Sequence, residues 1–286
     1  MQNPTVFTYT AGEPGLFVNS YLVEASEGVV AVDAGLLVSD ATAFRARLDA
    51  LHKPLLAVFV THGHPDHFNG VAELVRGQRD VPIYATAAGK AVIEEVAEAK
   101  RAQWSPTYGE EWPAETAYPD SVIGEGQTIA FGDVSVRAHE LGPCESPSEA
   151  VYLVEREGAA AVAFTGDLFY DGVHAYNADG LSAAWLQALD AARPLLAAAA
   201  VLYPGHGRPA GLRALDDQRR YELMLRETVR NLAAGSPSLS DDQKARLTER
   251  MERFLPGAPL SWLVGLSADP VAAELAAEDE AVSAAA

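Results

Sequence analysis

The segment Thr61-His62-Gly63-His64-Pro65-Asp66-His67 constrains this chain more than any other. Three imidazoles and a carboxylate fall within six residues, directly after the unbroken apolar run at 55–60. Such a run reads as a strand buried on both faces. A loop leaving a strand end turns alternate side chains toward one point, so His62 and His64 can converge on one ion. Asp66 and His67, on the helical turn that Pro65 opens, can then face a second. Mixed imidazole and carboxylate donors suit Zn, Fe or Mn. The bland alternative is a solvated polar turn, and the density of ligating groups argues against it.

Around this segment the first half alternates strand and helix signals. Residues 16–24 and 29–33 are β-rich runs separated by Glu27-Gly28, which reads as a hairpin. Phe44, Leu48 and Leu51 give 40–51 a helical spacing; 65–75 suits a helix, 81–85 a strand and 87–104 a helix. The stretch 105–120 is Pro-rich, with Trp104, Tyr108, Trp112 and Tyr118 clustered in and beside it. It reads either as ordinary loop packing or as a lid over a pocket. Strands follow at 128–131, 134–139, 150–155 and 160–165, then a helix at 181–192 and a last buried strand at 199–203. Beyond residue 212 the pattern is helical. Leu215, Leu223, Leu225, Val229 and Leu232 mark one amphipathic helix, and Ser240 can cap another running to Phe254.

Length and charge bound the rest. A chain of 286 residues can bury a substantial core, and the reading places one domain at 1–212 with a helical extension at 213–286 packed on it. No apolar run nears the roughly 18 residues of a membrane span, and Met1-Gln2-Asn3-Pro4 offers neither a basic start nor an apolar stretch. The expectation is a chain with no secretory signal and no membrane partner. The single cysteine, Cys144, cannot form an internal disulfide and fits a reducing, cytoplasmic setting. A net charge of −19 should repel phosphate backbones, which argues against nucleic acid and for a small-molecule substrate. Part of that charge, at Glu274, Glu278, Asp279 and Glu280, precedes an Ala-rich end expected to fray.

The His-x-His-x-Asp-His spacing after a strand resembles the hallmark loop of the metallo-β-lactamase superfamily, and the resemblance covers residues 16–212. Asn19, Tyr21 and Asp33-Ala34-Gly35 resemble the family's opening hairpin. Gly166-Asp167 follows the strand at 161–165, and Gly205-His206-Gly207 follows the strand ending at Tyr203, in the family's order. The resemblance implies an α/β fold: a metallo-β-lactamase αββα sandwich, here with a helical C-terminal extension. It implies one or two divalent metal ions, zinc first, with Mn or Fe as alternatives. By the same resemblance His62 and His64 serve site one, Asp66, His67 and His206 serve site two, and Asp167 bridges them.

One position departs from the pattern. Family members carry a third site-one histidine in a Pro-Gly-His-Thr-Pro-Gly loop, where this chain has Pro143-Cys144-Glu145-Ser146-Pro147-Ser148-Glu149. Aligned without a gap, Glu145 takes the place of the histidine and Cys144 that of the glycine. Carboxylate is a competent ligand, so Glu145 is the preferred candidate. Cys144 competes as a thiolate along a different loop path, and a site one completed by neither is the third option. With two divalent ions, two aspartates and a hydroxide, adding Glu145 takes the net charge from plus one to neutral. That weakens the site's polarising power, and harder oxygen ligation shifts preference toward Mn or Fe. His139, at a strand end before this loop, reads as a ligand, as support for one, or as plain packing. His174, a few residues after Asp167, could reach a pocket rim to handle substrate or a proton. Trp112 and Tyr108 are the candidates for an apolar substrate wall.

The activity so implied is hydrolysis of a small acyl substrate, an ester, lactone, thioester or lactam, by metal-activated water. Asp66 is the catalytic candidate, orienting the water and carrying its proton. Two other readings stand beside it: a mononuclear iron persulfide dioxygenase-like oxidoreductase, and a non-catalytic metal-binding module in which Glu145 has ended hydrolysis.

Overall fold

A computed structural model describes residues 3–78 and 80–285. Its first strand, β1 (Val6–Thr10), pairs antiparallel with β2 (Asn19–Glu24), which forms a hairpin with β3 (Val29–Val32). Helix α1 (Val38–Ala50) then leads to β4 (Leu55–Phe59), and the short helices α2 (Pro65–Phe68) and α3 (Val71–Leu74) lead to β5 (Ile83–Ala85). The long α4 (Ala87–Tyr108) precedes β6 (Ser121–Val122). These strands form one sheet in the order β1-β2-β3-β4-β5-β6, parallel from β3 onward.

The second sheet begins with the antiparallel run β7 (Thr128–Phe131), β8 (Val134–Gly142), β9 (Glu149–Arg156) and β10 (Ala161–Phe164). After β11 (Tyr170–Asp171) and α5 (Ser182–Leu196), β12 (Ala199–Tyr203) joins β10 in parallel. The short β13 (His206–Gly207) pairs with β11. Helices α6 (Ala214–Ala233), α7 (Asp241–Phe254) and α8 (Trp262–Ala285) complete the chain.

The alternation of β-strand side chains sorts the apolar residues into three layers. Val30, Val32 and Phe59 of the first sheet meet Val136, Tyr152 and Phe164 of the second between the sheets. Val29, Ala31 and Val58 face the other way, onto Phe44, Leu48 and Ile93 of the N-terminal helices. Leu153, Ala163 and Leu202 face Trp185, Leu225, Met251 and Val271 of the C-terminal helices. The result is the αββα sandwich expected from the sequence. Phe59 is fully buried and edge-on to Tyr152 at 5.1 Å, so truncating it would cost about 3–5 kcal/mol.

Several boundaries differ from the sequence reading. Strand β1 was not anticipated; it is half-buried along its length, so its pattern carries no clean alternation. The helix expected at 65–75 divides at Asn69-Gly70. A Cβ on Gly70 would lie 2.1 Å from Ala34 O, so only glycine lets this turn press against the 33–35 loop. That contact brings Asp33 beside His67. Helix α4 runs past the Ser105-Pro106 break to Gly109, whose positive φ ends it. In α6, Leu223 is 48% exposed and belongs to no core face. The acidic stretch and the alanines after it, as far as Ala285, lie within α8, where the Ala-rich end was expected to fray. There Glu274 accepts hydrogen bonds from the first amides of α5, and Glu278 pairs with Arg226.

Candidate metal centre

Strands β3, β4, β10 and β12 all end at one rim of the sandwich, and the turn between β8 and β9 folds over the same rim. The Thr61 carbonyl accepts from the Ala150 amide at 3.0 Å, tying the two sheets together there. His62, His64, Asp66 and His67 leave β4, Glu145 comes from the β8–β9 turn, Asp167 follows β10 and His206 follows β12. All seven are buried.

These residues form three overlapping sets: His62, His64 and Glu145; His62, His67 and Asp167; Asp66, His67 and His206. Within each set the donor atoms lie within 4.8 Å of one another. Glu145 Oε2 is 2.9 Å from His64 Nδ1 and 3.6 Å from His62 Nε2. His67 Nε2 is 3.5 Å from Asp167 Oδ1, and His206 Nε2 is 3.1 Å from Asp66 Oδ2. Donors about 2 Å from a tetrahedral ion sit about 3.3 Å apart, so this spacing fits.

The unpaired atoms make the stronger case. His62 Nε2, His67 Nε2, Glu145 Oε2 and Asp167 Oδ1 are buried with no hydrogen-bond partner among the described residues. Other buried polar atoms lack partners singly elsewhere, but these four belong to overlapping donor sets of His, Asp and Glu, a clustering that fits one or more cations. The backbone leaves room for them: a Cβ on Gly205 would lie 2.0 Å from Asp167 Oδ1 and 2.6 Å from His67 Cε1.

Each histidine is held by its other nitrogen. His67 Nδ1 lies 2.8 Å from Asp33 Oδ2, and His64 Nε2 lies 3.0 Å from Asp179 Oδ2. His62 Nδ1 lies 3.3 Å from Glu149 Oε1, and His206 Nδ1 donates to Leu16 O at 2.9 Å. Such partners fix ring orientation and leave the inner nitrogen free to ligate. Tyr170 stacks on His206, and its hydroxyl donates to Asp167 Oδ2 at 2.5 Å.

Burial and charge set the protonation of the metal-free cluster. Burial pushes Glu145 up to about 7, against the pull of His64. Burial and the charge of His67 push His62 down to about 4. Burial would lower His64, His67 and His206 as well, but facing carboxylates overcome it and raise all three. Burial would raise Asp66 and Asp167, yet neighbouring His67 and His206 hold both far below the usual carboxylate range. Without an ion the centre is a network of shared protons.

Above this floor opens a cavity of about 400 Å³. Lys100, Gln103, Trp104 and Tyr108 of α4 line one side, with Trp112 beside them. Trp262, Leu263 and Leu266 of α8 also line it. Among the described lining residues Lys100 is the one lysine or arginine.

A model of the metallo-β-lactamase superfamily matches residues 14–206. The chain belongs to this superfamily. Exodeoxyribonuclease WalJ of Streptococcus pneumoniae serotype 2 (strain D39 / NCTC 7466) is 36% identical over 70 residues, covering 24% of this chain and 26% of that protein. The chain thus spans about a quarter of the length of that relative. A beta-lactamase domain protein from Burkholderia ambifaria shares the fold with a TM-score of 0.68 at 21% identity, over 96% of this chain and 88% of that one. A metallo-beta-lactamase family protein from Thermus thermophilus does so with 0.66 at 18%, over 96% and 94%.

Within the superfamily fold, the other sequence candidates scatter. Cys144 is fully buried in the apolar layer beneath the C-terminal helices and joins none of the donor sets. Burial raises its thiol well above the usual range. His139 lies 2.8 Å from Glu125, outside every donor set and away from the cavity. His174 lies 3.1 Å from Tyr221 OH and does not line the cavity; its amide donates to Pro259 O, ahead of α8. Trp112 and Tyr108 do line the cavity, whereas Tyr118 does not and is 36% exposed. Sequence reasoning missed Asp33, Glu149, Asp179 and Tyr170 as partners of the site. Asp33 and Glu149 sat within quoted motifs, and Tyr170 stands three residues after Asp167. Asp179 reaches His64 only through tertiary packing and left no local signal.

Proposed function

We propose that the chain is a metal-dependent hydrolase of a small acyl substrate: an ester, lactone, thioester or lactam. Superfamily membership supplies the hydrolase-type chemistry, and the four unpaired inward atoms beneath a 400 Å³ cavity carry the reading. His62, His64 and Glu145 would hold one ion and Asp66, His67 and His206 a second, with Asp167 between them. Bound divalent ions supply Lewis acidity and bring the pKa of water toward neutrality; Zn is the first expectation, Mn and Fe the alternatives.

The chain's own residues do the rest. Asp66 faces both the ligand cluster and the cavity, so its carboxylate orients the attacking water and takes up its proton. Tyr170 has its hydroxyl raised by burial and by Asp167, which keeps it neutral, and its one proton goes to Asp167 Oδ2 and holds that carboxylate in place. Trp112 and Tyr108 exclude water from one side of the cavity. The short exodeoxyribonuclease match raises phosphodiesters as the rival substrate class. A charge of −19 and a cavity with one lysine speak against a nucleic acid backbone.

The test is metal analysis of protein purified without added metal, together with turnover on a panel of esters, lactones, thioesters and lactams. Hydrolysis is expected in wild type and absent in Asp66→Ala. Oxygen uptake with a persulfide, and no hydrolysis across the panel, would overturn the reading in favour of an oxidoreductase.

A further inference from the structure

Helix α8 lies entirely beyond residues 14–206, which the superfamily model matches, yet it walls the cavity above the metal centre. Trp262 and Leu266 are one helical turn apart, at 50% and 43% exposure, while Leu263 between them is buried. Apolar side chains this large, left half-bare beside a cavity, mark a place where something apolar binds. Here that surface is continuous with the cavity whose floor is the donor cluster.

The wall is held in place. The Asn177 amide donates to Ser267 Oγ at 2.9 Å, and the His174 amide donates to Pro259 O at 3.1 Å. Both contacts bind the start of α8 to the loop that carries Tyr176 and Asp179 to the cavity. Beyond the donor cluster, the charged side chains lining the cavity among the described residues are Lys100 and Asp179, and the residues of α8 there are apolar.

We propose that the face of α8 formed by Trp262, Leu263 and Leu266 receives the alkyl chain of the acyl substrate and selects for its length. This rests on the acyl-hydrolase reading above. A reacting carbonyl placed over Asp66 and Glu145 directs its chain along the cavity toward α8. Each further methylene laid on that face is withdrawn from water, and affinity should rise about four-fold per methylene until the face is covered.

Calorimetric binding of butanoate, hexanoate and octanoate to the protein as purified tests this without turnover, beside hydrolysis of the matching p-nitrophenyl esters. Affinity should climb along the series in wild type. Trp262→Ala and Leu266→Ser should weaken octanoate about ten-fold while changing butanoate less than about two-fold. Both positions are exposed, so the variants should fold, as circular dichroism will confirm. Equal affinities along the series, or equal losses for short and long chains, overturn the proposal. So does a wild-type dimer that Leu266→Ser converts to monomer with a flat series, which would make the face a contact between copies. A rising series with no ester hydrolysed keeps this inference and rejects the proposed activity; hydrolysis with a flat series does the reverse.

Discussion

Glu145 turns its Oε2 toward His62 and His64, while the neighbouring Cys144 side chain is sealed in the apolar layer under the C-terminal helices. Their substitutions should therefore separate metal binding from stability. Glu145→Ala should lower metal content measured by mass spectrometry. Cys144→Ser should leave it nearly unchanged, although burying a hydroxyl there should cost about 1–3 kcal/mol in urea unfolding. The opposite pattern of metal loss would make the thiolate the ligand. At this scale the inner residues of the centre were legible because six of them sit in short, spaced motifs at strand ends. Glu145 was legible only by position within its loop. Asp33, Glu149 and Asp179 were not, because a carboxylate that orients a ring needs only proximity, and proximity comes from the fold.

The elements show a similar division. Strand β4, buried along nearly all its length, announced itself as an unbroken apolar run, but the run at 199–203, expected to be a buried strand, is the half-exposed edge strand β12, with Leu202 alone fully buried. The edge strand β1 gave no signal, because a half-buried edge imposes no strict alternation. Helix α4 exceeded its expected end although Pro106 sits in its last turn, where it forfeits only the one bond to the Ala102 carbonyl and the helix runs just two residues further. The start of α5 has no cap of its own; Glu274 from α8 supplies it, accepting from the Ser182 amide at 3.0 Å and the Ala183 amide at 2.7 Å. Glu274→Ala should destabilise the protein by about 1–2 kcal/mol in urea unfolding, the usual worth of a lost N-cap. A change below about 0.3 kcal/mol would mean that solvent caps α5 equally well. No sequence pattern around Ser182 points to a residue so distant in the chain.

For the molecule as a whole, the donor cluster joins segments from both sheets, so protons and ions compete to hold one seam. In the metal-free protein His64, His67 and His206 are raised and Glu145 stands at about 7, so above about pH 6.5 the folded chain holds more protons than the unfolded one. The stability the three histidines give is present below about pH 6.5, that of Glu145 below about 4.5, and each is lost as pH rises through the folded value. His62, pushed down to about 4, acts in the opposite sense, but only below about pH 6.5. Metal must displace the same protons, so its affinity rises with pH. Calorimetry with and without chelator, from about pH 6.5 to about pH 8.5, should show the chelated Tm falling and the gap to loaded protein widening. A chelated Tm that climbs over this range would contradict the assignment.

The tie between the Thr61 carbonyl and the Ala150 amide lies directly behind the donor cluster, and it closes a circuit between chain segments remote from each other in sequence. An ion held there would clamp the breathing of that rim. On chelation, amides at the C-terminal ends of β4, β10 and β12 should lose hydrogen-exchange protection together and by the same amount, as one cooperative opening. The opposite ends of the same strands should keep theirs.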